Sequence, residues 1–91
     1  MGIMTYTEFK RHVARISRQE FLSSQFNPLQ YGIERTRFEE RKLRQLIALA
    51  KRTQFLTAQR KVAGWERKLV RMQEKRERFE RTSRSAAVVS A

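Results

Sequence analysis

The sequence predicts an all-α protein, on three observations. All nine acidic residues are glutamate, a good helix former, and none is aspartate, which favours caps and turns. The 91 residues include only three glycines and one proline. Apolar residues recur at spacings of three and four over most of the length, which is the helical period. The expected architecture is an extended helical hairpin: an N-terminal amphipathic helix within residues 1–24, an Asn-Pro turn at 25–27, one very long basic helix over 28–81, and a mobile C-terminal tail at 82–91.

The first helix is expected to start near Thr5. Thr5-Tyr6-Thr7-Glu8 has the form of a capping box, in which a Thr hydroxyl and a Glu carboxylate satisfy free backbone N–H groups. Tyr6, Phe9, Val13 and Ile16 then share one face, and Phe21 and Leu22 extend the element until Ser23-Ser24 weaken it.

The second helix is expected to start at Pro28. Proline disfavours helix in the residue before it and suits the first helical position. Asn27 is a good N-cap, Gln30 completes a capping-box pattern, and Phe26 and Tyr31 occupy the positions of a hydrophobic staple. Gly32 costs about 1 kcal/mol relative to alanine and could kink the start.

Beyond Ile33 the only glycine is Gly64. Leu43, Leu46, Ile47, Ala50, Phe55, Ala58, Val62, Trp65, Leu69, Met72 and Phe79 fall within about half the helix circumference, in phase throughout. That continuity predicts one helix rather than two. A second seam, with Phe38 on its side, runs through Leu49, Leu56, Ala63 and Val70 at a spacing of seven. Glu74 with Arg78 and Glu77 with Arg81 stand in the favourable i, i+4 order for ion pairs.

A first helix of about 18 residues spans about 27 Å, against about 81 Å for the second. It can cover only the first third. Phe55, Val62, Trp65, Leu69, Met72 and Phe79 are therefore the expected protein-contact residues, with Trp65 as anchor because tryptophan is enriched at interface hot spots. The partner could be another protein, RNA or a second copy of the chain.

Charge is the strongest functional signal. Lysine and arginine total 21 against nine acids, a net charge of +12, and arginine outnumbers lysine 15 to 6. Guanidinium forks match phosphates bidentately and stack on bases. Between Glu40 and Glu66 lie Arg41, Lys42, Arg44, Lys51, Arg52, Arg60 and Lys61, with no acid among them. These seven are the expected nucleic-acid-binding residues, and Thr53, Gln54 and Gln59 could add phosphate hydrogen bonds.

Other classes find little support. No phosphate-binding glycine-rich loop, metal-ligand spacing or nucleophile elbow is present, so no enzyme activity is expected. His12 is the only imidazole and there is no cysteine, so no metal site or cofactor is expected. His12 stands four residues after Glu8, a pairing more typical of a helix surface than of acid–base chemistry. No apolar run is long enough to span a bilayer. Met1-Gly2 lacks the Ser or Thr at position 6 that myristoylation requires. The cations surround the helix instead of lying opposite its apolar stripe, which ranks membrane-surface binding low. Arg81-Thr82-Ser83-Arg84-Ser85 has the form of a basic-directed phosphorylation site, a short pattern that occurs often by chance.

The chain resembles, in composition alone, small accessory subunits of ribosomes, including mitochondrial ones, and of respiratory-chain assemblies. The Leu-Tyr-Arg tripeptide of one helical mitochondrial family is absent. The basic residues of the first 24 faintly resemble a mitochondrial transit peptide, although two glutamates interrupt them. The function this implies is a non-catalytic, intracellular structural subunit of a ribonucleoprotein, ribosome-like, in which a basic helix bridges RNA and neighbouring subunits of a large assembly. The alternative is an accessory or scaffold subunit of a multisubunit complex, such as a mitochondrial respiratory or ATP synthase assembly, held by protein contacts only. A homodimer that binds nucleic acid is a third reading.

Overall fold

The structure, a computed structural model, describes residues 3–90, and side chains as far as residue 86. The Met1-Gly2 start and Ala91 lie outside the described residues. The described chain is all-helical: α1 (Tyr6–Ser17), α2 (Pro28–Lys51) and α3 (Leu56–Ser90).

The single long helix expected over 28–81 is two helices. The chain turns at residues 52–55, and α3 runs back along α2 as an antiparallel hairpin. Gly32 meets Phe79, Glu40 meets Arg76 and Lys51 meets Glu66, so opposed numbers add to a nearly constant value. No glycine or proline makes this turn. Thr53 does it, donating both its N–H and its hydroxyl to the carbonyl of Ala50, at 3.0 and 2.8 Å. Gln59 Nε2 then donates to the carbonyls of Ala50 and Thr53, at 3.2 and 2.9 Å. A helix C-terminus leaves its last carbonyls without partners. Gln59, from the first turn of α3, supplies partners and holds the turn closed.

Folding there places the two halves of the apolar stripe face to face. Leu46, Ile47 and Ala50 pack with Ala58 and Val62, and Phe55, Trp65 and Leu69 close over them. Phe79 lies against the backbone of α2 at Gly32. A Cβ at that position would sit 2.9 Å from Phe79 Cζ. Gly32, expected to disturb the helix, is where the Phe79 ring is seated against α2. No such neighbour lies within 4 Å of a Cβ at Gly64. Gly64→Ala is therefore expected to stabilise by about 0.5–1 kcal/mol through helix propensity alone. Gly32→Ala gains the same propensity but meets overpacking of about 1–3 kcal/mol. It is expected to lower stability by about 1 kcal/mol, with Phe79→Leu recovering most of the loss. Thermal melts of the three variants check the ordering.

α1 begins as expected, with Thr5 Oγ1 accepting from the Glu8 N–H at 3.1 Å. It stops at Ser17, short of the expected end. Had the helix continued, Phe21 would sit about 120° round from Phe9, off the packed face. The chain instead becomes extended, and Phe21 reaches α2. There its ring packs edge-on to Tyr31 at 5.3 Å and beside Phe38 at 5.6 Å, with Arg35 over it. The connection therefore runs from residue 19 to 27 rather than 25 to 27. About nine extended residues span some 30 Å, enough to travel from the middle of α2 back to its start. Gln19 Nε2 donates to Gln45 Oε1 at one end of this path, and the Ser23 hydroxyl to Glu34 Oε2 further along.

At Pro28 the cap forms as expected, with Asn27 Oδ1 accepting from the N–H groups of Leu29 and Gln30. The expected staple does not form. Phe26 is fully exposed, because Tyr31 is occupied by Phe21. The Gln30 side chain reaches across to Ser83 Oγ instead of back to its cap. The tail expected from residue 82 continues α3 as helix to Ser90. No glycine or proline follows Gly64 to stop it, and the Thr82 hydroxyl bonds back to the Arg78 carbonyl. The second seam divides: α1 and the connection cover Leu49 and part of Phe38, whereas Leu56, Ala63 and Val70 stay exposed on α3.

Candidate nucleic-acid interface

The hairpin sorts the charges. Glu40 is buried at 2% exposure in the seam between α2 and α3, where a lone carboxylate would be costly. Arg76 Nε donates to its Oε2 at 2.6 Å, and Arg44 Nη2 stands 3.5 Å from Oε1. Arg76 Nη1 also donates to Glu80 Oε1 at 3.1 Å, and Arg37 Nη2 meets the same oxygen at 3.1 Å. The hydrogen bond to Glu40, then that to Glu80, raises the Arg76 pKa further above its ordinary value. The hydrogen bond from Arg76, with a smaller one from Arg37, holds Glu80 below the usual carboxylate range.

A carboxylate whose pKa is lowered on folding stabilises the fold above its unfolded pKa of about 4.3. That contribution is lost as pH falls through the lower, folded value. Wild type is therefore expected to lose stability between about pH 5 and pH 3, and Glu80→Gln to lose less over the same interval. Thermal melts at both pH values check this. The raised Arg76 pKa adds stability that is present through the neutral range and is lost only as pH rises through the folded guanidinium's own value, in strong alkali.

The seven expected nucleic-acid residues do not form one surface. Arg41 is exposed on α2, makes no ion pair, and shares a cleft with Arg37, Arg44 and Arg76. Lys42 has a structural position: it donates to the Gln19 carbonyl at 3.4 Å and lies over the Phe38 ring. Lys51 stands 3.6 Å from Glu66 Oε1. Arg52, Arg60 and Lys61 are exposed around the turn end of the hairpin.

The expected protein-contact residues are largely internal. Val62 is buried, and Phe55, Trp65, Leu69, Met72 and Phe79 are half-buried within the hairpin. Their cover comes from α1 and α2. The geometric reason for assigning them to an outside partner rested on a straight second helix, and it falls with that helix. The large apolar side chains left exposed include Ile3, Leu22, Phe26, Leu56 and Val70.

Sequence spacing also holds a stripe of arginines, legible as positions seven, four, seven and three apart. Arg60, Arg67, Arg71, Arg78 and Arg81 fall within about 80° of one another on α3. All five are exposed and make no ion pair among the described residues. The expected Glu74–Arg78 and Glu77–Arg81 pairs do not form. Among the described residues, ion pairs engage Arg35, Arg37, Arg44, Lys51 and Arg76, leaving 16 of the 21 cations without one.

His12 Nδ1 lies 3.0 Å from Arg15 Nη2, not beside Glu8. Among the described residues no three His, Cys, Asp or Glu side chains gather as a metal site would require. No helix among them is long and apolar enough to cross a membrane. Compared with known protein families, curated proteins and solved structures, the chain matches none.

Proposed function

We propose that this chain is a non-catalytic, RNA-binding structural subunit of a ribonucleoprotein, ribosome-like in kind. One observation carries the reading: among the described residues 11 of the 15 arginines are exposed and have no ion-pair partner, while Glu40 and Glu80 are held at the hairpin seam. Self-repulsion among so many unpaired cations opposes folding. A polyanion relieves it. The rigid hairpin holds its guanidiniums on fixed helical faces, and such forks bind phosphates bidentately.

Fluorescence anisotropy with a labelled single-stranded RNA tests the reading. Affinity is expected to fall at least about a hundredfold between 50 and 200 mM salt, as counter-ion release at several phosphates requires. Salt-independent binding, or none at low salt, would end the proposal.

A second reading has its own support. Leu22 and Phe26, at 86% and 100% exposure, stand on the connection with nothing over them. They suit an accessory subunit held in a large complex by protein contacts. On that reading Leu22→Ser with Phe26→Ser releases the chain from its complex without lowering its melting temperature. Trp65→Ala and Leu69→Ala, at residues packed against the core, act instead by loosening the hairpin.

A further inference from the structure

Between α2 and α3 a cleft of about 270 Å³ is lined by Arg37, Arg41, Arg44 and Arg76, with Glu40 at its base. We propose that these four arginines form a site for a single backbone phosphate of RNA; the proposal deepens the RNA reading and rests on it.

Three features separate this cluster from the diffuse basic surface. First, it is assembled by the fold: Arg76 arrives from the opposite helix and joins the i, i+4 and i, i+7 series Arg37, Arg41, Arg44. Second, three of the four guanidiniums are held. Glu40 and Glu80 bind Arg76 from below, Glu80 binds Arg37, and Glu40 stands close to Arg44. A flexible arginine loses rotamer freedom when it binds, and one already fixed by a carboxylate loses less. Third, the charge remains positive. Four arginines against Glu40 and Glu80 leave a local +2, enough to balance one phosphodiester. One guanidinium fork is enough for both oxygens of a carboxylate. A backbone phosphate offers two unesterified oxygens with several lone pairs, and the guanidinium N–H groups that Glu40 and Glu80 leave unused can approach them from more than one side. Arg41 has no ion pair and is the donor most free to turn onto the ligand.

The test uses the full chain and a mixed-sequence single-stranded RNA of about a dozen nucleotides. Its readouts are anisotropy and the arginine Nε–Hε resonances. RNA is expected to shift the resonances of Arg37, Arg41, Arg44 and Arg76. Arg41→Gln with Arg44→Gln is expected to weaken binding about tenfold and reduce the salt slope by about two. Lys75→Gln with Arg78→Gln removes the same charge from exposed, unpaired positions on α3. It is expected to weaken binding only about two- to threefold. Arg41→Gln alone breaks no ion pair, so a loss of binding by that variant at an unchanged melting temperature cannot come from unfolding. Equal losses in the two double variants would overturn the site while leaving RNA binding intact. If wild type bound no RNA but inorganic phosphate moved the four resonances, the RNA reading would fall and the cleft would be a free-phosphate site. If anionic phospholipid vesicles moved them and RNA did not, the ligand named here would be wrong.

Discussion

Arg76→Ala is expected to destabilise the protein by about 3 kcal/mol and lower its melting temperature by roughly 12–24 °C. The substitution leaves Glu40 buried with only Arg44 beside it, at 3.5 Å. An uncompensated buried charge is what makes breaking such a pair costly, typically by about 3–5 kcal/mol. The lower end applies because Arg76 is partly exposed and Arg44 can turn inward. Replacing both partners by apolar residues behaves differently. Glu40→Leu with Arg76→Met removes the charge and its desolvation together, and is expected to be neutral or stabilising. Denaturant melts of the two single and the double variants measure the coupling. An Arg76→Ala midpoint matching wild type would mean that Glu40 is not buried as a charged group.

Glu40 also shows why the hairpin was hidden in the sequence. On a straight helix it falls within the apolar stripe, in line with Ala58, as a lone charge. Its partner is 36 residues away, and nothing local announces it. The turn is equally quiet. Sequence punctuation relies on glycine and proline, and here Thr53 and Gln59 do the work by side-chain bonds to orphan carbonyls. The apolar stripe carries through Phe55 in phase, so periodicity argued for continuity where the backbone reverses. What was legible were features set by neighbours in the chain: the helical class, the Thr5 and Asn27 caps, the start at Pro28, and the composition of the apolar stripe. What was not legible needed tertiary contact. The surplus of arginine was evident from composition. Its division into a seam-side cluster and an outward stripe on α3 depends on knowing that residues 37–44 and 76–80 lie side by side.

Phe9→Ala is expected to detach α1 from the hairpin, with a loss of about 3–5 kcal/mol in the free energy that holds it docked. Phe9 is 1% exposed and packs with Tyr6 and Phe55 in an aromatic cluster, at ring separations of 6.1 Å from each. α1 is 12 residues long, at or below the length at which an isolated helix persists in water. Its helicity therefore depends on docking, and docking depends on few residues besides Phe9 and Ile16, the two that α1 buries. The α2–α3 seam has its own apolar contacts and the Arg76–Glu40–Arg44 ion pairs, none of which passes through α1. The variant should lose the far-UV signal of α1, 12 of the 71 helical residues or about one-sixth, at low temperature, then melt in a second transition belonging to the hairpin. Hydrogen exchange separates the two, with amides 9–17 exposed early and those of 40–50 protected until the main transition. A single transition with full helix content beforehand would show that α1 is held by something other than this ring. Undocking also uncovers the α2 surface over Leu49 and Ala50, beside the arginines of the turn. An RNA affinity unchanged by Phe9→Ala would locate binding on the hairpin alone.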